Sequence, residues 1–532
     1  MILGGATWDC EIGLGDCLLE ATEKRTAKAE LLAQRALMLL RVPDGGPVLQ
    51  ATWTILHKVI ARALDFDARV LPASAFGVFA ARLQCAVESV VSALAGDGLT
   101  EDQLMRVRLP GPLGGCGLRP PGLCQHAAYL TANLAAAHVA RQVLHHWHLD
   151  LSAFPEPGEL TRARQEVEQS GVQFAVDAAT ASLSPALFAA ARECPWDMPP
   201  RRRARQQHAF GGLTGLQAIV EFALAAELWS ISDDTGRAQW RDHSGPGVGK
   251  FWACLPTCRA TTFDDNHWRQ AFRSHLAIPV ACPGARCQLR KANGHVCGEL
   301  LCPHAFHADV CTASGAEMRL HRCLQHSLAK CLRATGAHVD LERHMPEMTT
   351  PEQPEAILDV VVAWPGQSRL FGVDGTIRCA RAVRYAGRTD ALSVTEAEKH
   401  RHYGPSVLPL PATDGARIGP DSLLTLDKLA VEASLSLHDR RSAGALSAEW
   451  RLHLEAAILW QHADVVLAAL GHGMLRPRRR RYAQSSPPAR EACAGVSVIQ
   501  SDGAAQHLLQ PGRFASPQQA VDVSTAAMLP TR

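Results

Sequence analysis

The sequence predicts an α+β multidomain protein with a helical N-terminal half, a small zinc knuckle, a mixed α/β core and a helical C-terminal segment. Three observations lead to this prediction. Alanine- and leucine-rich runs fill the first 150 residues, cysteines concentrate between positions 254 and 331, and two short apolar runs flank a turn near Gly366. Composition and turn signals divide the chain into six parts: 1–150, 151–280, 281–315, 316–436, 437–475 and 476–532.

Length and charge limit the classes of function. The 532 residues suffice for about two to four domains, each with its own core. The formal net charge is only +2, and positive charge concentrates in two arginine-rich blocks, 201–205 and 476–481. Such blocks are typical of nucleic-acid patches and of solvated surface alike. No apolar run reaches the roughly 18 residues of a membrane span, so we expect a soluble protein without a membrane partner.

Cysteine usage favours a reducing compartment. Nine of the 17 cysteines lie between Cys254 and Cys331, and the residues after Met1 lack the basic start of a signal peptide. A secreted disulfide scaffold would be shorter than this chain. We therefore expect an intracellular protein whose thiols serve metal binding.

Helices are predicted in the N-terminal part from alanine-rich runs of high helix propensity, over 26–40, 51–64, 75–94 and 127–144. The segment 108–118 between the third and the fourth cannot be helical because of its glycine and proline content.

This region resembles a known family. The matching residues are Leu109-Pro110, Gly114-Gly115-Cys116-Gly117-Leu118 and Ala127-Ala128-Tyr129, which are similar to the segment after the polymerase domain of non-LTR-type reverse transcriptases. That family's palm motif, an aromatic residue followed by x-Asp-Asp, is absent, since Phe263-Asp264-Asp265 lacks the spacer and begins a helix. The resemblance implies the C-terminal part of such a protein, without polymerase activity.

A cysteine- and histidine-rich segment predicts a structural zinc site. Tetrahedral Zn²⁺ requires four soft or borderline ligands, and the spacing C-x4-C-x4-H-x3-C supplies them: Cys297, Cys302, His307 and Cys311. Four further residues are alternative ligands: Cys282, Cys287, His295 and His304. The competing interpretation is a cysteine-rich segment that binds nothing, because C-x4-C is a looser signal than C-x2-C.

A helix and a strand are predicted after the knuckle. Leucine recurs at every fourth position from 320 to 332, which predicts an amphipathic helix over 316–335 with Gly336 as its stop. Residues 337–342 then form a short strand that ends at Glu342.

The two apolar runs each carry one acid and predict a metal-binding β-hairpin. If Gly366 and Gln367 form a two-residue turn, Asp359 and Asp374 lie directly opposite each other, with Cβ atoms about 4.5–5.5 Å apart. Carboxylates that close repel unless a cation lies between them. Mg²⁺ prefers such oxygen ligands and can activate a water for phosphodiester hydrolysis. In the competing interpretation the acids cap a turn or pair with nearby arginines: Arg378, Arg381 and Arg384.

The order of these features resembles a second domain. A Cys-Cys-His-Cys knuckle, a histidine-containing helix, a strand and Asp-x14-Asp are similar to the restriction-enzyme-like endonuclease domain, of PD-(D/E)XK type, at the C-terminus of site-specific non-LTR retrotransposons. His321 matches the histidine of the family's RH-Asn motif, Asp359 its first acid and Asp374 its second. The chain departs from the family at the motif flanks: Leu320 and Arg322 beside the histidine, Ile357-Leu358 in place of Arg/Lys-Pro, and Thr376 at the lysine position of D-x-K.

A lysine on the next helix resembles the family's relocated lysine. Ser393 and Glu396 form a capping-box start for a helix that contains Lys399, and the resemblance implies that this lysine polarises the scissile phosphate. The competing interpretation is a surface lysine on an amphipathic helix. In the catalytic hypothesis His321 and Glu342 orient the reacting groups.

These features predict a retroelement-derived protein that binds and nicks DNA, with structural Zn²⁺ and catalytic Mg²⁺ or Mn²⁺. DNA is the expected partner, element RNA a further one, and the resemblance implies a nuclear location. Two alternatives stay open: a nucleic-acid-binding protein whose catalysis has decayed, and a zinc-dependent interaction scaffold. The remaining chain predicts an edge strand from Val407, helices over 420–435 and 447–470, and a disordered basic tail from Arg476.

Overall fold

Helices at both ends of the described chain flank a four-stranded sheet. The computed structural model describes most residues from 14 to 119 and from 234 to 472, with a few positions between: 14–41, 47–96, 98–119, 122, 125, 128, 129, 132, 221, 224–226, 228, 229, 231, 232, 234–313, 315–349, 355–367, 369–379, 391–436 and 441–472. All of them belong to one compact unit, Met1–Leu475. Most of the predicted helix 127–144, the arginine block 201–205 and the tail lie outside the described residues.

The helices predicted over 26–40, 51–64 and 75–94 are present, although the first begins earlier, at Leu14, and the short helices Asp67–Val70 and Glu101–Arg108 were not predicted. Leu14–Leu39 packs against Ala73–Ala95, with Trp53 and Phe76 buried in the shared core. Val48–Ile55 continues as a turn of π-helix, Leu56–Ile60. The five helices of this part are α1 Leu14–Leu39, α2 Val48–Ile55, α3 Asp67–Val70, α4 Ala73–Ala95 and α5 Glu101–Arg108.

Helix α4 is the one helix in the described part of the chain with the length and hydropathy that a membrane span requires. Its apolar face lies in the protein core, where Leu83 and Val87 are buried. On another face Arg82 forms ion pairs with Glu23 and Glu30 of α1. The buried apolar face and the ion pairs of Arg82 show that α4 is a core helix of the protein, which explains its apolar composition.

The glycine- and proline-rich segment after α5 forms a tight loop, as predicted. Its only regular element is the 3-10 turn Gly111–Leu113. A Cβ on Gly111 would lie 2.4 Å from the carbonyl oxygen of Val248 and 2.5 Å from the Cα of Gly249. Glycine is therefore required at 111, because two backbones meet there without space for a side chain.

The mixed sheet has the strand order β1-β2-β3-β4. Strands β1 and β2 pair antiparallel, as do β2 and β3, whereas β3 and β4 are parallel. Among the described strands β4 is at the edge, which agrees with the prediction of an edge strand that tolerates Pro409 and Pro411. The strands are β1 His338–His344, β2 Ile357–Ala363, β3 Phe371–Arg378 and β4 Leu408–Thr413.

The remaining helices surround this sheet and the segment before it. They are α6 Asp234–Asp242, α7 Lys250–Ala253, α8 Asp265–His275, α9 His307–Val310, α10 Ala316–Arg333, α11 Ala391–Tyr403, α12 Pro420–Leu435 and α13 Ala443–Ala469. Helix α10 contacts β1, β2 and β3, with its predicted leucine stripe buried, and α11 connects β3 to β4. The architecture is therefore α+β, as the sequence predicts.

The β2–β3 hairpin has the predicted register but a different turn. Val360 pairs with Val373 and Val362 with Phe371. The amide of Gln367 donates to the carbonyl of Trp364 at 3.1 Å, and Gly366 has φ 82°. The central turn residues are therefore Pro365 and Gly366, as in a type II turn. The two-residue turn predicted at Gly366-Gln367 is wrong, because proline presets the first turn position one residue earlier.

Helix α13 contacts helices of the segment before residue 280 and of the α/β part, among them α8, α10 and α12. Its buried Glu455 accepts hydrogen bonds from the amides of Gly249 at 2.8 Å and Phe251 at 3.2 Å. Its Leu454 and Leu459 belong to the core that also contains α10 and the sheet. One helix therefore unites the segment before residue 280 with the α/β part.

A second contact of α13 predicts a pH-dependent stability. His267 of α8 stacks on Trp460 with ring centroids 4.3 Å apart and pairs with Asp264 at 2.8 Å and Asp464 at 3.5 Å. Burial lowers the pKa of His267, but its bonds to the two aspartates outweigh burial and raise that pKa to about 9. The stabilisation that protonated His267 gives to the folded state is complete below the ordinary histidine pKa of about 6.5. It is lost as the pH rises through about 9.

We expect the free energy of unfolding to fall by roughly 1–3 kcal/mol between pH 6.5 and pH 9.5. Urea denaturation at a series of pH values measures it. Asp464→Asn should reduce this fall, whereas Asp427→Asn, which removes an exposed carboxylate paired with Arg451, should not. An identical pH dependence in Asp464→Asn and the parent protein would contradict the assignment.

Candidate active site and metal centre

The two acids of the β2–β3 hairpin lie on the same side of the sheet. Extending the observed register by one pair from Val360 and Val373 places Asp359 opposite Asp374. Asp374 is buried and Asp359 is half-buried. The two carboxyl groups are close enough for each to shift the pKa of the other. The predicted acid pair is therefore present in the structure.

Asp359 is held by contacts on both of its carboxylate oxygens. Nε2 of His321, on α10, lies 3.1 Å from Oδ1, and the amide of Gly375 donates to Oδ2 at 2.7 Å. The side chain of Gln325, one turn further along α10, donates to the backbone carbonyl of Asp359 at 3.0 Å. The apolar face of α10 packs on the sheet, and this packing fixes the position of His321.

His321 and Asp359 each stabilise the charged form of the other. Burial raises the pKa of Asp359, but the hydrogen bond and the positive charge of His321 outweigh burial and hold that pKa below its usual range. The same hydrogen bond raises the pKa of His321. Asp359 is therefore an ionised, oriented carboxylate at neutral pH.

Asp374 has the opposite environment, although a lysine contacts it. Nζ of Lys399, on α11, lies 2.5 Å from Oδ2 of Asp374. Burial and the nearby Asp359 carboxylate nevertheless raise the pKa of Asp374. Two neighbouring carboxyls whose pKa values move apart are typical of sites that bind a cation or transfer a proton.

The position of Lys399 depends on Glu396, whose role in the structure differs from the one predicted from the sequence. Glu396 was expected to cap the start of its own helix, but α11 begins earlier, at Ala391. Its buried side chain instead accepts hydrogen bonds from the amide and the hydroxyl of Ser422 at 3.1 and 3.2 Å. Glu396 thereby caps α12 and anchors α11 one turn from Lys399. The S-x-x-E pattern gave no signal for this, because the partner is remote in sequence.

Glu342 is not brought to the acid pair. It lies on β1 opposite Asp359, but its side chain is exposed and its φ of 50° is left-handed. Among the described residues no hydrogen bond or ion pair joins Glu342 to Asp359 or Asp374. The predicted orienting role of Glu342 is therefore corrected, because the local backbone twist interrupts the ladder at this residue.

Three cysteines and one histidine form a group that could hold a metal such as zinc. Their ligand atoms all lie within 4.8 Å of one another: Cys287, Cys297, His307 and Cys311. Sγ of Cys297 lies 3.2 Å from Nε2 of His307, and the Cys287 and Cys311 sulfurs are 3.9 Å apart. Three thiols and an imidazole are a ligand set that structural Zn²⁺ uses. We call this group the Cys3His centre.

One predicted ligand is wrong and an alternative takes its place. Cys302 lies outside the Cys3His centre, and its sulfur accepts the amide of Phe306 at 3.2 Å, as in a turn. Cys287, an alternative ligand in the sequence interpretation, completes the group of candidate ligands because a hairpin returns it to Cys297. His307 rather than His304 belongs to this candidate group.

The Cys3His centre lies between a short hairpin and helix α13. The amide of Cys287 donates to Glu299 O at 2.8 Å, and the amide of Cys297 donates to Leu289 O at 2.7 Å. The buried Leu289 packs with Val465 and Val466 of α13. Burial raises the pKa of the Cys287 thiol to about 12, so metal binding there would release protons.

Comparison with family models and with curated proteins identifies no relative. No family model matches the chain, and no curated protein matches it. The resemblance to non-LTR retrotransposon proteins therefore rests on the motif residues alone. The geometry of the acid pair and the Cys3His centre is independent of that resemblance, since both are contacts between named side chains.

Proposed function

We propose that this chain is a retroelement-derived, metal-dependent DNA endonuclease in which Asp359 and Asp374 bind Mg²⁺ or Mn²⁺. The observation that carries the proposal is the pairing of these two acids across the hairpin. A basic side chain contacts each of them, His321 on one and Lys399 on the other. The residues come from two strands and two helices, so the arrangement depends on the tertiary fold and not on local sequence.

The donor set suits a hard divalent cation. Carboxylate oxygens are the ligands that Mg²⁺ prefers, and each bonded oxygen of Asp359 keeps a free lone pair. When bound, the ion would act as a Lewis acid on the phosphodiester and on its own water. A cation would also offset the repulsion that raises the pKa of Asp374, which makes the pair a better ligand than either acid alone.

The protein's own residues have distinct roles in this proposal. His321 orients the Asp359 carboxylate and keeps it ionised. Lys399, which pairs with Asp374, would turn its ammonium to the scissile phosphate and stabilise the charge that develops there. The Cys3His centre would hold structural Zn²⁺ at the start of α10, the helix that carries His321. DNA is the proposed partner, with element RNA as a further one and the nucleus as the location.

A second candidate function is a nucleic-acid-binding protein whose catalysis has decayed. Two observations favour it. Thr376 stands where the D-x-K arrangement has lysine, and the Lys399 ammonium already contacts Asp374 at 2.5 Å. A lysine that only neutralises a buried acid would serve stability and not catalysis.

A plasmid-nicking assay separates the two functions through Lys399. If the site is catalytic, the protein nicks supercoiled plasmid with Mg²⁺ and not with EDTA, and Lys399→Met lowers the rate by about 10²–10³-fold, which is the usual effect of losing one transition-state donor. Arg401→Met is the matched control, because Arg401 is an exposed cation on the same helix. Absence of nicking with either Mg²⁺ or Mn²⁺ would favour the decayed protein.

A further inference from the structure

The Cys3His centre carries a short two-stranded ribbon, residues 286–300. Arg286 forms a bridge with Leu300 and Arg290 with Val296, both antiparallel. The turn at the far end is closed by hydrogen bonds between Lys291 and residues 294 and 295. Because opposite residues of an antiparallel ribbon lie on the same face, alternate residues divide between two faces.

The two faces differ in burial and in chemistry. Cys287, Leu289 and Cys297 are on the inner face, where they belong to the Cys3His centre and the core beside α13. The outer face has exposed Arg286 and Arg290 on one strand. On the other strand it has Val296 and Leu300, which are 38% and 60% exposed. An exposed basic and apolar face is therefore held in place from behind by the candidate metal ligands.

The charge on the outer face is not neutralised locally. Nη1 of Arg286 donates to Gly298 O at 2.9 Å, and Nη1 of Arg290 donates to Gly294 O at 3.0 Å. Neither arginine forms an ion pair with a carboxylate of the described residues. Glu299 is the single acid in the sequence 286–300, and it alternates onto the other face. Each guanidinium is thus oriented by the ribbon while its other N–H groups are available to a ligand.

We infer that the outer face of ribbon 286–300 is the docking surface for double-stranded DNA and enters its major groove. A B-form major groove about 12 Å wide accepts a two-stranded ribbon. Arg286 and Arg290 are four residues apart on one strand, about 13 Å, so they reach separate phosphates or base edges of one groove. The major groove of A-form RNA is too narrow for side chains to read. Duplex DNA is therefore the occupant that the shape and the charge favour.

Helix α10 connects the Cys3His centre behind the ribbon to the acid pair. Ala316, the first residue of α10, packs in the core of the Cys3His centre. His321 follows five residues later, about 7.5 Å along the helix. The Cys3His centre and the acid pair are therefore connected through the first turns of one helix. The choice of DNA rests on the proposed function, but the docking surface itself requires no catalysis.

The test measures binding and nicking separately in the full-length, zinc-loaded protein. Arg286→Ala/Arg290→Ala is expected to raise the Kd for a 30-base-pair DNA duplex at least about 10-fold and to reduce the slope of log K against log salt by about 2. Lys24→Ala/Lys28→Ala removes the same charge from exposed positions on α1 and should change Kd less than about twofold. Zinc content and circular dichroism of the variant should equal those of the parent, because both arginines are exposed.

The outcomes distinguish the ribbon from the nuclease. The docking surface is refuted if Kd and salt slope are unchanged in the arginine variant, or if the lysine control loses as much DNA affinity. Neither result bears on the nicking activity, which is measured separately. Loss of binding in a protein whose parent does not nick supports the ribbon and refutes the proposed catalysis. Binding of a 30-base-pair RNA duplex as tightly as the DNA overturns the major-groove assignment.

Discussion

Asp359→Asn/Asp374→Asn is expected to lower Mg²⁺-dependent nicking by about 10³-fold or more. A metal site contributes several kcal/mol to transition-state stabilisation, and each 1.36 kcal/mol is a factor of ten in rate. Asparagine keeps the volume of each side chain but removes its charge. The double substitution removes the repulsion between the two carboxylates but also the ionic partners of His321 and Lys399, so circular dichroism of the variant is compared with that of the parent to show that it is folded. Relaxation of supercoiled plasmid in Mg²⁺ measures the rate.

A matched control for this variant is available on the neighbouring strand. Asp340 lies on β1, is half-exposed, and pairs with Arg343 at 2.8 Å. Asp340→Asn should leave nicking within about twofold of the parent rate, since exposed ion pairs contribute little. Calorimetric titration with Mn²⁺ gives a second readout, in which the double variant should lose the binding isotherm. Full nicking activity in Asp359→Asn/Asp374→Asn would remove these residues from the mechanism.

Cys287→Ser is expected to abolish zinc binding, whereas Cys302→Ser is expected to retain it. The four ligand atoms of the Cys3His centre converge within 4.8 Å, and the Cys302 sulfur is not among them. Structural zinc contributes apparent free energies of about 10–16 kcal/mol in small modules. Loss of one thiolate should therefore reduce the zinc content from about one ion per chain to near zero.

Atomic absorption on purified protein measures this difference, and Co²⁺ substitution gives an independent spectroscopic count of thiolate ligands. The Cys287→Ser variant should also unfold at lower temperature, because Leu289 and Val465 lose the constraint that holds the hairpin against α13. The reverse pattern, with zinc lost in Cys302→Ser and kept in Cys287→Ser, would restore the ligand set that the sequence spacing suggests.

Local patterns were sufficient for much of the fold. The leucine stripe of α10 and the apolar runs of β2 and β3 predicted elements that the structure confirms to within a few residues. The register that pairs Asp359 with Asp374 also followed from the sequence, although the turn type did not. Register survived this error because each hydrophobic run has one face to bury, and a shift by one residue would expose it.

Features that depend on contacts between residues remote in sequence could not be predicted from local patterns. Cys287 joins the Cys3His centre because a hairpin brings it back to Cys297, ten residues later in the sequence. Spacing alone favoured Cys302, which is only five residues from Cys297. Glu396 matched a local capping pattern, but its partner is Ser422 of another helix. The left-handed φ of Glu342 has no signal in the sequence, because the residue is neither glycine nor asparagine.

Helix α13 has a consequence for the biosynthesis of the protein. A ribosome releases the N-terminal helices, the cysteine hairpin and the sheet before it reaches Ala443, at about 5–20 residues per second. Until then the apolar surfaces that pack against Leu454 in the main core and against Val465 beside the Cys3His centre are exposed to water. The nascent chain therefore exposes apolar surface for many seconds. Both cores are completed only when the last thirty residues of the described structure have been synthesised.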